Sequence, residues 1–337
     1  MSFVARRQIR LALLAGALAA LLAATAGPAG AAAPSAASAR ARTIAFWTPE
    51  RIRAARPLPM TLGRGVHAAI RPTAKPAPSA SATAVAGSEW LNGKGTIYRA
   101  TGRVLFATNA SDPTKTQYWI CSGAVVTDQN LNASIVLTAG HCAYDQANHV
   151  YVQNWLFIPQ FDSQPDLWDC GNTAYGCWTA DQLFVHSGFA GQSGFNQTAS
   201  LYDWAFAVVH AGGKNGAQLD QTVGSFPIAF ASYASRTAVS AFGYPAAGKY
   251  APGNELVYCS GSLSSDFFNF NRTYALTCDM TGGASGGPWL TSFNSNTGDS
   301  GVLSSVNSYR YSFSSAMYGP KFNANTKATW DAAVAAE

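Results

Sequence analysis

The chain has 337 residues, 48% of them hydrophobic and only 12% charged, with 22 Lys and Arg against 17 Asp and Glu and a formal charge of +5. A basic total would suggest nucleic acid as a partner, but its placement removes that reading. Residues 1–88 hold 11 Lys/Arg and one acidic residue, whereas the remainder holds 11 Lys/Arg and 16 acidic residues.

Three arginines (Arg6, Arg7, Arg10) precede an Ala/Leu run from Leu11 to Gly27, and small residues follow at Ala29-Gly30-Ala31. A positive start, an apolar middle and a small-residue exit predict a secretory signal peptide over residues 1–33. The rival is a transmembrane anchor, but the apolar run is about 17 residues, at the short edge of what spans a bilayer. No later stretch is apolar enough to span, so no membrane association is expected once the signal is cleaved near Ala31 or Ala33.

Residues 34–88 are rich in Ala, Pro, Arg and Ser, as in "RPTAKPAPSASATAVAGS" (71–88). They read as a propeptide or linker that cannot bury a core of its own. From Glu89 the texture changes, and the roughly 249 residues that follow suffice for one large or two small cores. Short β-rich runs recur between Gly/Asn/Ser turns: "GTIYRATGRVLFAT" (95–108), "YWICSGAVVT" (118–127), "ASIVLTAG" (133–140), "DQLFVHS" (181–187) and "DWAFAVVH" (203–210). The series continues with "TAVSAFGY", "NELVYCSGS", "TYALTCDM", "GPWLTSF" and "SGVLSSVNSY". Regular short strands predict an all-β sandwich or barrel. Helical periodicity is convincing only in "NANTKATWDAAVAAE" (323–337), with Asn325 or Thr326 as the cap.

All six cysteines lie in the later part: Cys121, Cys142, Cys170, Cys177, Cys259 and Cys278. An even count behind a signal peptide predicts three disulfides. Six cysteines allow 15 pairings; nearest neighbours would give 121–142, 170–177 and 259–278. No pair has the CxxC spacing usual in zinc sites, and nothing points to another metal or an organic cofactor.

The chemistry is carried by "TGGASGGPW" (281–289). A serine hydroxyl is a poor nucleophile at neutral pH; it needs a base, and the base needs an orienting carboxylate. The oxyanion that develops needs backbone N–H donors, most easily supplied where side chains are absent. Ser285 among glycines fits that need. His141 in "LTAGHCAY" is the candidate base, and Asp203 in "LYDWAFAVV" the candidate carboxylate. Asp181 in "WTADQLF" is the reserve carboxylate. Of the other histidines, His67 lies in the leader, and His149, His186 and His210 sit near strand ends, where a structural or solvated role is expected.

"WICSGAVV", "TAGHC", "DWAFAVV" and "GGASGGP", in that order, resemble the chymotrypsin-like (trypsin-like) serine proteases. "AFGYPAAG" and "CDMTGGASGGPW" look more like their secreted bacterial branch, near the glutamyl endopeptidases. The resemblance covers about residues 95–335. It implies an all-β fold of two six-stranded β-barrels with the active site in the cleft between them, followed here by the C-terminal helix. The N-terminal barrel (89–215) would supply His141 and Asp203, and the C-terminal barrel (216–337) Ser285. Ser285 would attack, His141 shuttle the proton and Asp203 fix the histidine tautomer. The N–H groups of Gly283 and Ser285 would form the oxyanion hole, and Cys121 would bridge to Cys142. The animal enzymes place an aspartate before the serine, which pairs with a freshly cut N-terminal amine; Ala284 cannot do so, and the oxyanion hole must be ordered by packing. Asp279 stands six residues before Ser285, where trypsin-type enzymes carry the aspartate at the base of the specificity pocket. Asp279, with Asn307 on the strand lining the pocket, is the candidate substrate-binding pair; a carboxylate there would pair with Arg or Lys before the cut, and the alternative is an Asp279 that is structural or faces solvent.

The expected function is a secreted serine endopeptidase, a zymogen acting as a monomer on protein or peptide substrates without a cofactor. A catalytically silent homologue serving as a binding module is the alternative. Such homologues typically lose a triad residue, and none is visibly lost here. A GxSxG hydrolase elbow does not fit, because "PWLTSF" after Ser285 reads as strand.

Overall fold

The computed structural model describes residues 36–58, 61–62, 84–90, 95–130, 132–161 and 170–337. The expected signal peptide, His67 and "RPTAKPAP" lie outside the described residues.

Six antiparallel strands close into a barrel in the order Gln117–Val126, Thr101–Thr108, Gln153–Pro159, Trp178–Val185, Ala205–Val209 and Ser134–Thr138, which returns to Gln117–Val126. Closure removes free edges. Both faces of its strands are buried: Val104, Val136 and Phe157 on one face and Leu156, Phe206 and Val208 on the other are fully buried. Gln153–Pro159 was not among the expected strands.

The C-terminal half is built from two sheets. One runs Val302–Val306, Pro288–Thr291, Ala238–Gly243, Val257–Ser262 and Val85–Glu89; the other Ser264–Ser265, Tyr274–Thr277 and Ala316–Gly319. The Cys259–Cys278 disulfide ties the first to the second, around a core that includes Val239, Ala241, Leu276, Met280, Trp289 and Met317. A closed six-stranded barrel beside these sheets is the chymotrypsin-like double-barrel arrangement. Helix Ala324–Val334 follows. Its cap is Asn323 rather than the expected Asn325 or Thr326: Asn323 Oδ1 accepts from the Asn325 N–H at 2.8 Å, and Thr326 closes a capping box. Trp330 of this helix packs on Phe206 of the first barrel, with ring centroids 5.3 Å apart.

Two local expectations are corrected. "GTIYRA" begins as a helical turn, Thr96–Ala100, and not as strand. The Thr96 N–H and hydroxyl both donate to Asp299 at 2.8 and 3.2 Å, so a turn from the other half of the molecule overrides the local β preference. Residues 36–58 are also more ordered than a coreless linker. Helices Ala36–Phe46 and Pro49–Ala54 lie on the first barrel. Trp47 and Ile52 are buried in its core cluster, Trp47 Nε1 donates to the Asn154 carbonyl at 2.6 Å, and Arg40 pairs with Asp181 at 3.1 Å. The segment has too few apolar residues for its own core and borrows the barrel's surface instead.

Candidate active site

His141 lies on a single 3₁₀ turn, Gly140–Cys142, directly after strand Ser134–Thr138. The Cys121–Cys142 disulfide fastens that turn to the neighbouring strand. The other two bridges are Cys170–Cys177 and Cys259–Cys278, so all three join nearest neighbours. Cys121, Cys142 and His141 have their potential ligand atoms within 4.8 Å of one another. Both sulfurs are spent in the disulfide, and neither is a thiolate for a metal.

Asp203 ends the 3₁₀ turn Ala199–Tyr202 and leads into strand Ala205–Val209. It is fully buried. Its Oδ1 accepts the backbone N–H of His141 at 2.9 Å, and His141 Nδ1 lies 3.1 Å from Oδ1 and 2.9 Å from Oδ2. Ser308 donates its hydroxyl to Oδ2. A carboxylate receiving these donors fixes the orientation of the ring. With Nδ1 donating to the carboxylate, Nε2 is left as the acceptor. Nε2 is buried and has no hydrogen-bond partner among the described residues.

Ser285 sits in a turn that presses on the first barrel. Its carbonyl accepts from Ser122 N–H at 2.7 Å. Gly286, at φ +79°, faces the residues just before His141: a Cβ there would lie 2.1 Å from Thr138 Oγ1, so no other residue fits. Gly283 has φ +98°, and a Cβ on it would come within 2.8 Å of the Tyr244 carbonyl. Ala284, Gly286 and Gly287 donate their N–H groups to Thr281, Asn307 and Ala284 carbonyls. The N–H groups of Gly283 and Ser285 have no partner among the described residues.

Asn307 holds this turn. It is fully buried and is not among the residues lining the cavity beside Ser285. Its Nδ2 donates to the Phe242 and Ala284 carbonyls at 2.8 and 3.0 Å, and its Oδ1 accepts Trp289 Nε1 at 2.7 Å. Ala284 itself is buried in the second core. Packing and one asparagine thus hold the backbone of this turn.

The cavity beside Ser285 measures about 190 Å³ and is lined by Thr281, Gly282, Ser308, Tyr309, Arg310 and Met317, among others. Asp279 is not among its lining residues. Its carboxylate is engaged by Lys249 Nζ at 2.6 Å and by the Tyr250 hydroxyl. The charged group on the wall is Arg310, which donates to the Asp279 and Met280 carbonyls at 3.0 and 2.7 Å. A second cavity, about 330 Å³, opens on His141 and is lined by Phe106, Trp119, Tyr144 and Phe195.

The other described histidines are tied elsewhere. His186 Nδ1 accepts from Gly188 N–H at 2.9 Å, its ring stacks on Tyr202, and burial holds it below the usual histidine range. His210 pairs with Asp181 at 2.7 Å, and His149 reaches the Ala190 carbonyl. Sequence reading missed Ser308, because nothing local in "VNSYRY" marks it; only folding brings it onto a carboxylate 105 positions earlier.

No protein-family model matches the chain, and comparison with curated proteins finds no match. Among solved structures the chain is similar to the protease Anisep from Arthrobacter nicotinovorans, at 34% identity over 72% of this chain and 98% of that one, with TM-score 0.58. It is similar to the thermostable serine protease AL20 from an extremophilic microorganism, at 31% identity over 72% and 100% of the two chains, with TM-score 0.59. A Glu endopeptidase shares the fold at 21% identity and TM-score 0.53, over 74% and 97% of the two chains. With this fold, and with identity above 30% over nearly the whole of a bacterial protease and of a serine protease, the chain belongs to the chymotrypsin-like serine proteases, in their bacterial branch, and is a serine-type endopeptidase acting on peptides or proteins.

Proposed function

We propose that Ser285, His141 and Asp203 are the catalytic triad of a secreted endopeptidase. The observation that carries this reading is the buried carboxylate of Asp203 gripping His141 Nδ1 while Nε2 stays unpartnered. His141 Nε2 takes the Ser285 proton as the serine oxygen attacks the substrate carbonyl carbon. The tetrahedral oxyanion is received by the unpartnered N–H groups of Gly283 and Ser285. Asp203 stabilises the imidazolium that forms. His141 then gives its proton to the leaving amine, and the C–N bond breaks to leave an ester on Ser285. A water, deprotonated by His141, hydrolyses that ester and returns the proton to Ser285.

Secretion is supported by the leader pattern of residues 1–33 and by three disulfides, which persist in oxidising compartments. No helix among the described residues is long and apolar enough to cross a membrane. A mature start ahead of Val85 is supported by the pairing of Val85–Glu89 with Val257–Ser262 and by the burial of Trp90 beside it.

A serine-directed phosphonate probe tests the triad. It should label the processed protein and fail on Ser285→Ala. Labelling at another residue, or full peptide hydrolysis by Ser285→Ala, refutes the assignment.

A further inference from the structure

We propose that residues 56–58 and 61–62 form an autoinhibitory strap lying in the substrate cleft in the direction opposite to a cleavable peptide. This rests on the reading of Ser285 and His141 given above.

The strap touches both sides of the site. Arg56 and Pro57 pair in parallel with Trp119 and Ile120 of the first barrel. Leu58 lines the cavity that opens on His141, and Pro57 and Thr61 line the cavity beside Ser285. Gly282, in the serine turn, faces Pro57 closely: a Cβ there would meet Pro57 Cβ at 2.9 Å. Thr61 then bridges in parallel to Arg310, and Leu62 N–H donates to the Arg310 carbonyl at 3.0 Å. Leu62 is only 6% exposed, in a cluster with Tyr309, Tyr311 and Tyr318. Upstream, the strap is anchored by Trp47 and Ile52 in the first core. The leader therefore fills the space a substrate needs, and does so with backbone hydrogen bonds as well as apolar contacts, as strand addition to an exposed edge does.

Direction decides whether such a segment is a substrate or a plug. A productive peptide sets its carbonyl carbon on Ser285 Oγ and the preceding side chain in the cavity walled by Tyr309 and Arg310. Its departing nitrogen must face His141 Nε2 to receive the proton. From N- to C-terminus it runs from the Arg310 side toward the His141 side. The strap runs from the His141 cavity, at Leu58, to Arg310, at Thr61 and Leu62. Its carbonyls and nitrogens are reversed with respect to the attacking and proton-donating groups. A strap so placed blocks the site without being cut by it.

The test uses the full-length chain captured before processing, checked as intact by mass spectrometry, and the processed protein from the medium. Both are treated with the phosphonate probe, which needs only access to Ser285. The precursor is expected to label at least tenfold more slowly than the processed form. Leu58→Asp and Leu62→Asp precursors, which put a charge into the strap's apolar contacts, are expected to regain at least tenfold of that rate. Equal labelling of wild-type precursor and processed protein overturns the strap, whether or not the variants fold; so does the absence of any gain in folded variants. Self-cleavage between residues 56 and 62, abolished by Ser285→Ala, overturns the reversed direction. Failure of the processed protein to label overturns the Ser285 reading itself, and the strap falls with it.

Discussion

Replacing Asp203 by asparagine keeps the shape of the side chain and changes its hydrogen-bonding pattern. Both oxygens of Asp203 accept: Oδ1 from the His141 backbone N–H at 2.9 Å, Oδ2 from His141 Nδ1 at 2.9 Å and from the Ser308 hydroxyl. Asparagine has one acceptor oxygen. If that oxygen stays with the backbone N–H, the amide NH₂ faces two former donors. The serine hydroxyl can rotate to accept. The imidazole can accept at Nδ1 only by moving its proton to Nε2, and a protonated Nε2 cannot take the Ser285 proton. The imidazolium loses a charge-assisted hydrogen bond, about 1.5–3 kcal/mol, and restoring the working tautomer leaves a buried polar group unpaired, about 1–3 kcal/mol. Together these are about 2.5–6 kcal/mol, and at about 1.4 kcal/mol per factor of ten kcat falls roughly 10²- to 10⁴-fold. The upper end matches the same change in the chymotrypsin-type triad, about 10⁴. The assay is kcat of the processed protein on a peptide substrate, with thermal unfolding as the check on folding. Asp181→Asn is the control, since Asp181 is occupied by His210. Activity of Asp203→Asn within tenfold of wild type, with a large loss in Asp181→Asn, refutes the assignment.

Ser285→Ala and His141→Ala should each abolish peptide hydrolysis and leave the unfolding temperature within a few degrees of wild type; a residual rate near wild type in either excludes that residue. Peptide mapping without reduction should recover Cys121 joined to Cys142, and a free thiol at Cys142 in active protein would contradict the structure. The cation on the wall of the cavity beside Ser285 should disfavour Arg and Lys before the cut, so Arg310→Ala should raise the relative rate on such peptides. Asp279→Ser should leave the preference unchanged, because its carboxylate is held by Lys249 and Tyr250; lost cleavage after Arg or Lys in Asp279→Ser would reverse this view. Burial, reinforced by neighbouring carboxylates, raises Asp128 to about 6 and Glu337 to about 7. Between the ordinary carboxylate range and those values the folded state binds the extra protons, so this contribution is present near pH 4 and is lost as pH rises through 6–7. Glu337→Gln should flatten the fall in unfolding temperature between pH 5 and 8, and an unchanged slope would count against it.

Local chemistry in the sequence was enough for most of the strands, though not for Gln153–Pro159, and it named the candidates for the site. Short apolar runs between turn residues marked strands such as Gln117–Val126 and Ala205–Val209, because a half-buried pleated strand leaves a local pattern. Ser285, His141 and Asp203 stood in motifs whose residue types are demanded by nucleophile, base and orienter. What the sequence could not carry were relations between distant segments. Ser308 and Asn307 look alike as small polar residues just after strand Val302–Val306. Folding gives the first a carboxylate and the second three groups around the serine turn. Asp279 held the expected spacing to Ser285, but its side-chain direction is set by Lys249 and Tyr250, about 30 residues away. Residues 36–58 read as coreless because their apolar residues are few, and so they are when alone; Trp47 and Ile52 become core only against a barrel formed later in the chain. Composition and periodicity report what a segment can bury by itself, whereas partners far along the chain, and the direction in which two segments pair, exist only once the tertiary structure has brought them together.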